Sequence, residues 1–203
     1  MTKGLFLTFE GPEGAGKSTQ LNILAERLRA AGHEVIETQE PGGTRIGKQI
    51  RQILLDHGAT DLKPTTELLL MFASRAQNVD EVILPALAAG KIVLCDRFTD
   101  STLAYQGAGR GLGADMVYDL DRIACRGLVP HRTVLIDIDV ATGLARAEQT
   151  RMEQQPTSFH RTVRDTFLQL ANDDSRRIRL IDGARDKQAV ASDVWAAVAD
   201  LME

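Results

Sequence analysis

The chain has 203 residues, enough for one full-sized domain with a buried core and slightly short for two. Hydrophobic residues make up 43% and charged residues 26%, the balance of a globular protein and not of a disordered one. A formal net charge of -4 argues against a broad electrostatic footprint for nucleic acid, but leaves room for local positive charge around one small anion.

Apolar runs alternate with helical periods along the chain, the pattern of a mostly parallel sheet wrapped by helices in a single domain over 1–203. The run LFLTFE (5–10) is the first strand. After it, Leu21, Leu24, Ala25 and Leu28 fall at helical spacing, so a helix starts near Lys17 and ends before Gly32. EVIET (34–38) is the second strand, followed by the turn-rich EPGGT and a helix over about 46–56. The stretch 65–90 is helical, with Pro85 predicted to kink or interrupt it and Gly90 at the stop. KIVLCD (91–96), unbroken in apolar residues, is a third strand buried on both faces. TVLIDID (133–139) and IRLID (178–182) are the fourth and fifth, and Val190, Val194, Val198 and Leu201 line one face of a last helix.

Other classes are disfavoured by what the chain contains. Two cysteines make neither a disulfide framework nor a four-ligand zinc site, and Cys95 reads as a small buried hydrophobe. The run GLFLTF is too brief for a secretory signal, and no run approaches the roughly 18 apolar residues of a membrane span. A cytoplasmic protein that does not engage membranes is the expectation.

The chemistry begins at FEGPEGAGKSTQ (9–20). Gly11, four residues, then Gly16-Lys17-Ser18 is the spacing of a phosphate-cradling loop between a strand and a helix. Residues Gly11, Pro12, Glu13, Gly14, Ala15, Gly16, Lys17, Ser18 and Thr19 are the predicted nucleoside triphosphate cradle. Backbone N–H groups and the helix dipole face the phosphates, Lys17 reaches the β- and γ-phosphates, and the Ser18 hydroxyl holds Mg²⁺. Asp96, at the end of the third strand, is a second metal-binding candidate. Motor-type ATPases often place Glu next, to orient a hydrolytic water; this chain has Arg97, which suits an enzyme holding a second anion. No guanine-reading NKxD run is present, which weighs against a GTPase switch.

Two phosphate-bearing ligands brought together require several fixed cations, and Arg offers a planar fork for phosphate oxygens. Arg45, Arg51, Arg75, Arg97 and Arg110 follow or flank the predicted strands, and Arg146, Arg151, Arg161 and Arg164 group between the fourth and fifth. Ligands bind beyond the strand ends in such folds. Phe72 and Arg75 share a helical face, offering a ring to stack on a base and a donor for its edge, although periodicity alone makes Phe72 a core residue.

The segments FEGPEGAGKST, EPGGT, ELLLMFASRAQ, DRFTDSTLAYQGAGRG and RMEQ, in this order, resemble the bacterial thymidylate kinase (dTMP kinase) family. The resemblance implies an α/β P-loop NTPase fold: a five-stranded parallel sheet flanked by helices, with a short lid at about 146–157. It implies transfer of the γ-phosphoryl of ATP to dTMP with Mg²⁺, and a homodimer. By position, Phe72 stacks on thymine, Arg75 meets the base edge, and Arg97 with Arg51 binds the acceptor phosphate. Glu13 lies near the acceptor sugar and phosphate, Ser101, Tyr105 and Gln106 surround the base and deoxyribose, and Tyr105 crowds a ribose 2′-hydroxyl. The cradle's variable positions hold no basic residue, as in the subtype whose catalytic arginines come from the lid. Here the chain departs from the family: between GLARA and RMEQ it has only EQT, leaving Arg146 and Arg151 as the lid arginines. Lys17, Glu13, Arg97, Arg146 and Arg151 are thus the expected catalytic set. Two alternatives stay open at this stage, a P-loop kinase for a different nucleotide or nucleoside and a regulatory ATPase.

Overall fold

A computed structural model describes residues 4–147 and 150–202. Glu148 and Gln149, within the expected lid, lie outside the described residues. Five strands, β1 (Leu5–Glu10), β2 (Val35–Gln39), β3 (Ile92–Asp96), β4 (Arg132–Asp137) and β5 (Ile178–Asp182), form one sheet. Its order is β2-β3-β1-β4-β5 and every pairing is parallel. The parallel five-stranded core expected from the sequence is present.

Two strand limits differ from expectation, and the second difference has a local cause. β2 runs one residue later than the predicted 34–38, paired with β3 from Val35↔Ile92 to Gln39↔Asp96. β4 stops at Asp137 and not at Asp139, because the Asp139 carboxylate accepts from the N–H groups of Ala141 and Thr142. It thereby caps the next helix, α7 (Val140–Arg146), and takes the chain out of the sheet.

Strand alternation sorts the core into layers. Leu7 and Phe9 of β1, Ile92 and Leu94 of β3, and Val134 and Ile136 of β4 pack with α1 (Lys17–Ala30) and α9 (Lys187–Val198). Phe6, Val93 and Cys95 point to the opposite face, covered by α3 (Pro64–Asn78), α4 (Leu84–Ala88) and α6 (Ala114–Cys125). Leu135 and Ile178 meet α8 (Thr157–Asp173) on that same side. β3 is buried on both faces, as its unbroken run predicted.

The predicted long helix is three consecutive pieces. α3 loosens into a π-helical turn over Val79–Ile83 before α4, and Pro85 stands at the start of α4. Pro85 has no N–H to return to Glu81, so the winding relaxes there without ending. The sequence reading did not resolve the helices between β3 and β4. α5 (Thr99–Thr102) continues into a second π-helical segment, Leu103–Gly109, before α6. α2 (Arg45–Leu55) is capped by Thr44, whose hydroxyl accepts from Gly47 N–H at 2.9 Å.

Glu10, the last residue of β1, ties the segment after β3 to the sheet. It accepts from Phe98 N–H at 2.7 Å, Ser101 N–H at 3.3 Å and the Ser101 hydroxyl. Burial and the neighbouring Asp100 carboxylate push its carboxyl from 4.5 up to about 7, against the hydrogen bonds and the charge of Arg97. The folded chain therefore holds this proton more tightly than the unfolded one. That stabilisation is complete below about pH 4.5 and is withdrawn as pH rises to about 7. Relative to Glu10→Gln, the wild-type chain is expected to lose stability by roughly 1.4 kcal/mol per pH unit across this window. Urea unfolding of both proteins at a series of pH values measures it, and a pH-independent difference contradicts it.

Candidate active site

The site lies beyond the C-terminal ends of β1 and β3, the central strands from which the chain crosses to opposite sides of the sheet. β1 delivers the loop Gly11–Gly16 and the first turn of α1. Gly11 has φ 135°, and a Cβ there would stand 2.1 Å from the Ile136 carbonyl oxygen. Gly14 has φ 67°, and its Cβ would meet the Gly143 carbonyl oxygen at 2.0 Å. Both positions therefore demand glycine, which brings the loop backbone down onto β4 and α7.

Lys17 is buried, and its ammonium donates to the Gly11 and Pro12 carbonyls at 3.0 and 2.8 Å. Burial and the charge of Arg97 lower its pKa to about 8, against the opposing pull of Asp96, Glu13 and Glu10. The Ser18 hydroxyl donates to Asp96 Oδ2 at 2.6 Å, so the two expected metal-binding oxygens adjoin. Lys17, Ser18, Thr19, Asp96, Arg97 and Arg146 are among the residues lining an open cleft of about 630 Å³.

Arg97 follows β3 with φ 70°, a left-handed conformation rare outside glycine and costly unless its surroundings hold it. They do: its N–H bonds the Phe9 carbonyl at 2.9 Å, and Nη1 donates to Gly11 O at 3.2 Å and Ser101 Oγ at 3.0 Å. Nη2 reaches Glu13 Oε1 at 3.4 Å, and the guanidinium stands 4.9 Å above the Tyr105 ring. Glu13 Oε1 also accepts from the Tyr105 hydroxyl at 2.5 Å, while Oε2 lies 3.6 Å from His160 Nδ1. Burial would raise the Glu13 pKa, but His160, Arg97, Lys17 and Tyr105 together bring it down to about 2.

A second cavity, of about 150 Å³, adjoins the cleft; Glu13, Glu40, Arg51, Arg97 and Glu153 line both. Its inner wall carries Met71, Arg75, Ser101, Thr102, Tyr105 and Gln106. The π-helical segment 103–109 turns both Tyr105 and Gln106 inward although they are adjacent in sequence, an effect of its wider turn. Arg75 is 2% exposed and held by Glu40 Oε2 at 2.5 Å, Thr102 Oγ1 at 2.8 Å and Thr99 Oγ1 at 3.4 Å. Arg51 donates to the Pro41 carbonyl at 2.9 Å from the cavity's opposite side.

The structure therefore gathers Glu13, Lys17, Ser18, Arg51, Arg75, Asp96, Arg97, Ser101, Tyr105, Gln106 and Arg146 around two joined spaces. Beyond the cradle, Phe72 and Arg151 are the predicted residues that line neither space. Phe72 is 4% exposed and packs in the core under the Arg75 guanidinium, 4.8 Å away, so Met71 and Arg75 form the wall where its ring was expected. Arg151 is not at the phosphate cleft: it donates to Glu67 Oε2 at 2.6 Å and the Leu54 carbonyl at 3.0 Å, both buried contacts. The buried Glu67 carboxylate holds it there, away from the cleft that Arg146 lines.

Sequence reasoning passed over Glu40, Glu67, Arg110 as the partner of Glu67, and His160. One signal was there to read: Glu67, Arg75 and Asn78 fall on one face of α3 with Met71 among them, three polar residues where a core stripe would be expected.

Comparison with known proteins identifies the family. The family model described as thymidylate kinase matches residues 9–194. The thymidylate kinase of Deinococcus radiodurans is 50% identical, covering 98% of each chain, and that of Pseudomonas fluorescens is 48% identical, covering 98% of this chain and 97% of its own. The crystal structure of thymidylate kinase from Ehrlichia chaffeensis superposes with a TM-score of 0.80 at 34% identity, over 98% of this chain and 99% of that one. With a P-loop NTPase fold, a phosphate cradle and an adjoining second cavity, the chain belongs to the thymidylate kinase family of nucleoside monophosphate kinases, which are phosphotransferases.

Proposed function

We propose that the protein transfers the γ-phosphoryl group of ATP to dTMP, giving ADP and dTDP. The observation that carries this reading is the pair of joined spaces: a cleft on the phosphate cradle and a smaller cavity, meeting at Glu13, Arg51 and Arg97. A cavity near 150 Å³ holds one six-membered ring. Arg97 and Arg51 stand between ring site and cradle, where the acceptor phosphate would meet the γ-phosphate.

In the transfer, an acceptor phosphate oxygen forms a bond to the γ-phosphorus while the bond to the β–γ bridging oxygen breaks and ADP leaves. A phosphate monoester is already largely dianionic near neutral pH, so its oxygen needs no general base. Glu13, ionised down to about pH 2, suits a different role. It orients Tyr105 and Arg97 and directs the acceptor, its own charge offset by Arg97, Lys17 and His160. Lys17 and Arg146 flank the migrating group, so catalysis is positioning and charge neutralisation.

Ser18 and Asp96 fit Mg²⁺: both offer hard oxygens, and this ion is commonly held by one or two protein groups plus phosphates and water. Ser18 and Asp96 would hold the ion, which would supply positive charge to offset that of the phosphates.

A homodimer is part of the same reading. Its support is the exposure of Ile53, Leu69, Met116 and Ile123 on α2, α3 and α6, helices packed side by side. Ile123→Asp is expected to shift sedimentation toward the monomer; an unchanged profile would place the interface elsewhere.

An acceptor panel of dTMP, dUMP, UMP, CMP, AMP and thymidine, read by ADP release, tests the function. dTMP is expected to give the highest kcat/KM, and Lys17→Ala to lose at least about 100-fold in turnover. Preference for another acceptor, or ADP release independent of any acceptor, would overturn the assignment.

Lys17 also makes nucleotide binding pH-dependent. With its pKa near 8, rising pH removes the ammonium that pairs with phosphate, and binding must then restore the proton. Affinity for a non-hydrolysable ATP analogue is expected to be level below about pH 8 and to fall by up to about tenfold per unit above it. Calorimetry in buffers of different ionisation enthalpy should record proton uptake, absent in Lys17→Met. A flat profile from pH 7 to 9.5 would contradict it.

A further inference from the structure

Behind the smaller cavity lies a buried charge cluster that neither the phosphate cradle nor the phosphoryl transfer requires. Glu67 of α3 is 1% exposed and does not line the cavity. Four hydrogen bonds converge on its carboxylate. Arg110 donates Nε to Oε1 at 3.2 Å and Nη2 to Oε2 at 3.1 Å, and Arg151 donates Nη2 to Oε2 at 2.6 Å. The fourth comes from Gln106, Nε2 to Oε1 at 2.8 Å. Arg110 is itself fixed by Gln155 Oε1 at 2.7 Å, and Arg151 by the Leu54 carbonyl.

This arrangement decides a question that distance alone leaves open, namely which end of the Gln106 amide faces the cavity. Burial would raise the Glu67 pKa, but the hydrogen bonds from Arg110, Gln106 and Arg151 bring it below the ordinary carboxylate value. Glu67 is thus an ionised, acceptor-only group, the donors from two arginines and Gln106 outweighing its burial. Gln106 must turn its NH₂ toward Glu67, which leaves the amide oxygen for the cavity that Gln106 lines. Arg75 lines the same cavity and can only donate. On the inner wall, Gln106 therefore presents a fixed acceptor and Arg75 a fixed donor.

An N–H beside a C=O, the imide edge of thymine or uracil, complements that pair. Cytosine presents a ring-nitrogen acceptor and an amino donor at the corresponding positions, setting acceptor against acceptor and donor against donor. We propose that Glu67 is a positioning residue for base selection: held by Arg110 and Arg151, it locks the Gln106 amide in the one orientation that reads an imide pyrimidine and rejects an amino pyrimidine. The proposal rests on the nucleotide-acceptor reading above and adds its selectivity device. It also gives Arg151 a role in choosing the base, away from the phosphates.

Glu67→Gln tests it, because a neutral amide accepts or donates and no longer dictates the Gln106 orientation. The readout is kcat/KM for dTMP, dUMP and dCMP with the full chain. The dTMP-to-dCMP ratio is expected to fall by about tenfold or more, mostly through KM for dTMP. The dTMP-to-dUMP ratio, which reports a methyl group and not the imide, is expected to hold. Gln106→Met, which removes the amide but leaves the charge cluster intact, should lower the dTMP-to-dCMP ratio in the same way and serves should Glu67→Gln not fold. The double variant should add little further loss. Activity falling equally on all three acceptors, with ratios unmoved, would make Glu67 purely structural and overturn the proposal. A wild-type protein inactive on every pyrimidine monophosphate would instead remove the reading beneath it.

Discussion

The Arg97 guanidinium is held where the two spaces of the site meet, and the rest of the site is arranged to hold it there. Its backbone adopts a left-handed conformation at the end of β3, and its head group is fixed by the Gly11 carbonyl, Ser101 and Glu13. The restraints come from two segments: the cradle after β1, which supplies both the Gly11 carbonyl and Glu13, and the helix after β3, which supplies Ser101. A cation so placed among Glu10, Glu13 and Asp96 is balanced before any ligand arrives. Bound phosphates then meet a preorganised field, and no side chain has to be recruited.

That balance also explains Glu13, a carboxylate in a loop whose purpose is to receive anions. Left alone, it would repel phosphate. Paired with Arg97 and adjoined by Lys17 and His160, it becomes a fixed acceptor for the Tyr105 hydroxyl, and orientation outweighs repulsion. Buried ion pairs seldom add net stability, because desolvation offsets their attraction. Here they specify the directions of side chains that would otherwise rotate freely.

A similar device recurs deeper in the molecule. Arg75 is set by Glu40, which also accepts from Asn78 Nδ2 at 3.0 Å, while Asn78 in turn receives the Thr38 hydroxyl at 2.8 Å. Glu67 gathers Arg110, Arg151 and Gln106. α3 presents both clusters along one stripe, with Met71 between them, so a single rigid helix aligns the donor and acceptor of the smaller cavity. Rigid elements hold such groups more closely than loops do.

The amino-acid order alone determined whatever depends on local spacing. Alternation of apolar runs placed all five strands to within a residue or two, the glycine spacing with Lys17 and Ser18 located the cradle, and Pro85 marked the loosened turn. These features are legible because their causes lie within a few residues: pleat, helical period, a missing N–H. Only the tertiary structure decided which arginine does what. Arg97, Arg146 and Arg151 look alike in sequence, yet Arg97 stands between the two spaces and Arg146 at the cleft, while Arg151 turns inward to a carboxylate 84 residues away along the chain. Phe72 likewise became a support beneath Arg75. A long charged side chain goes where its partner is, and partners brought together by packing across a sheet leave no trace in local spacing.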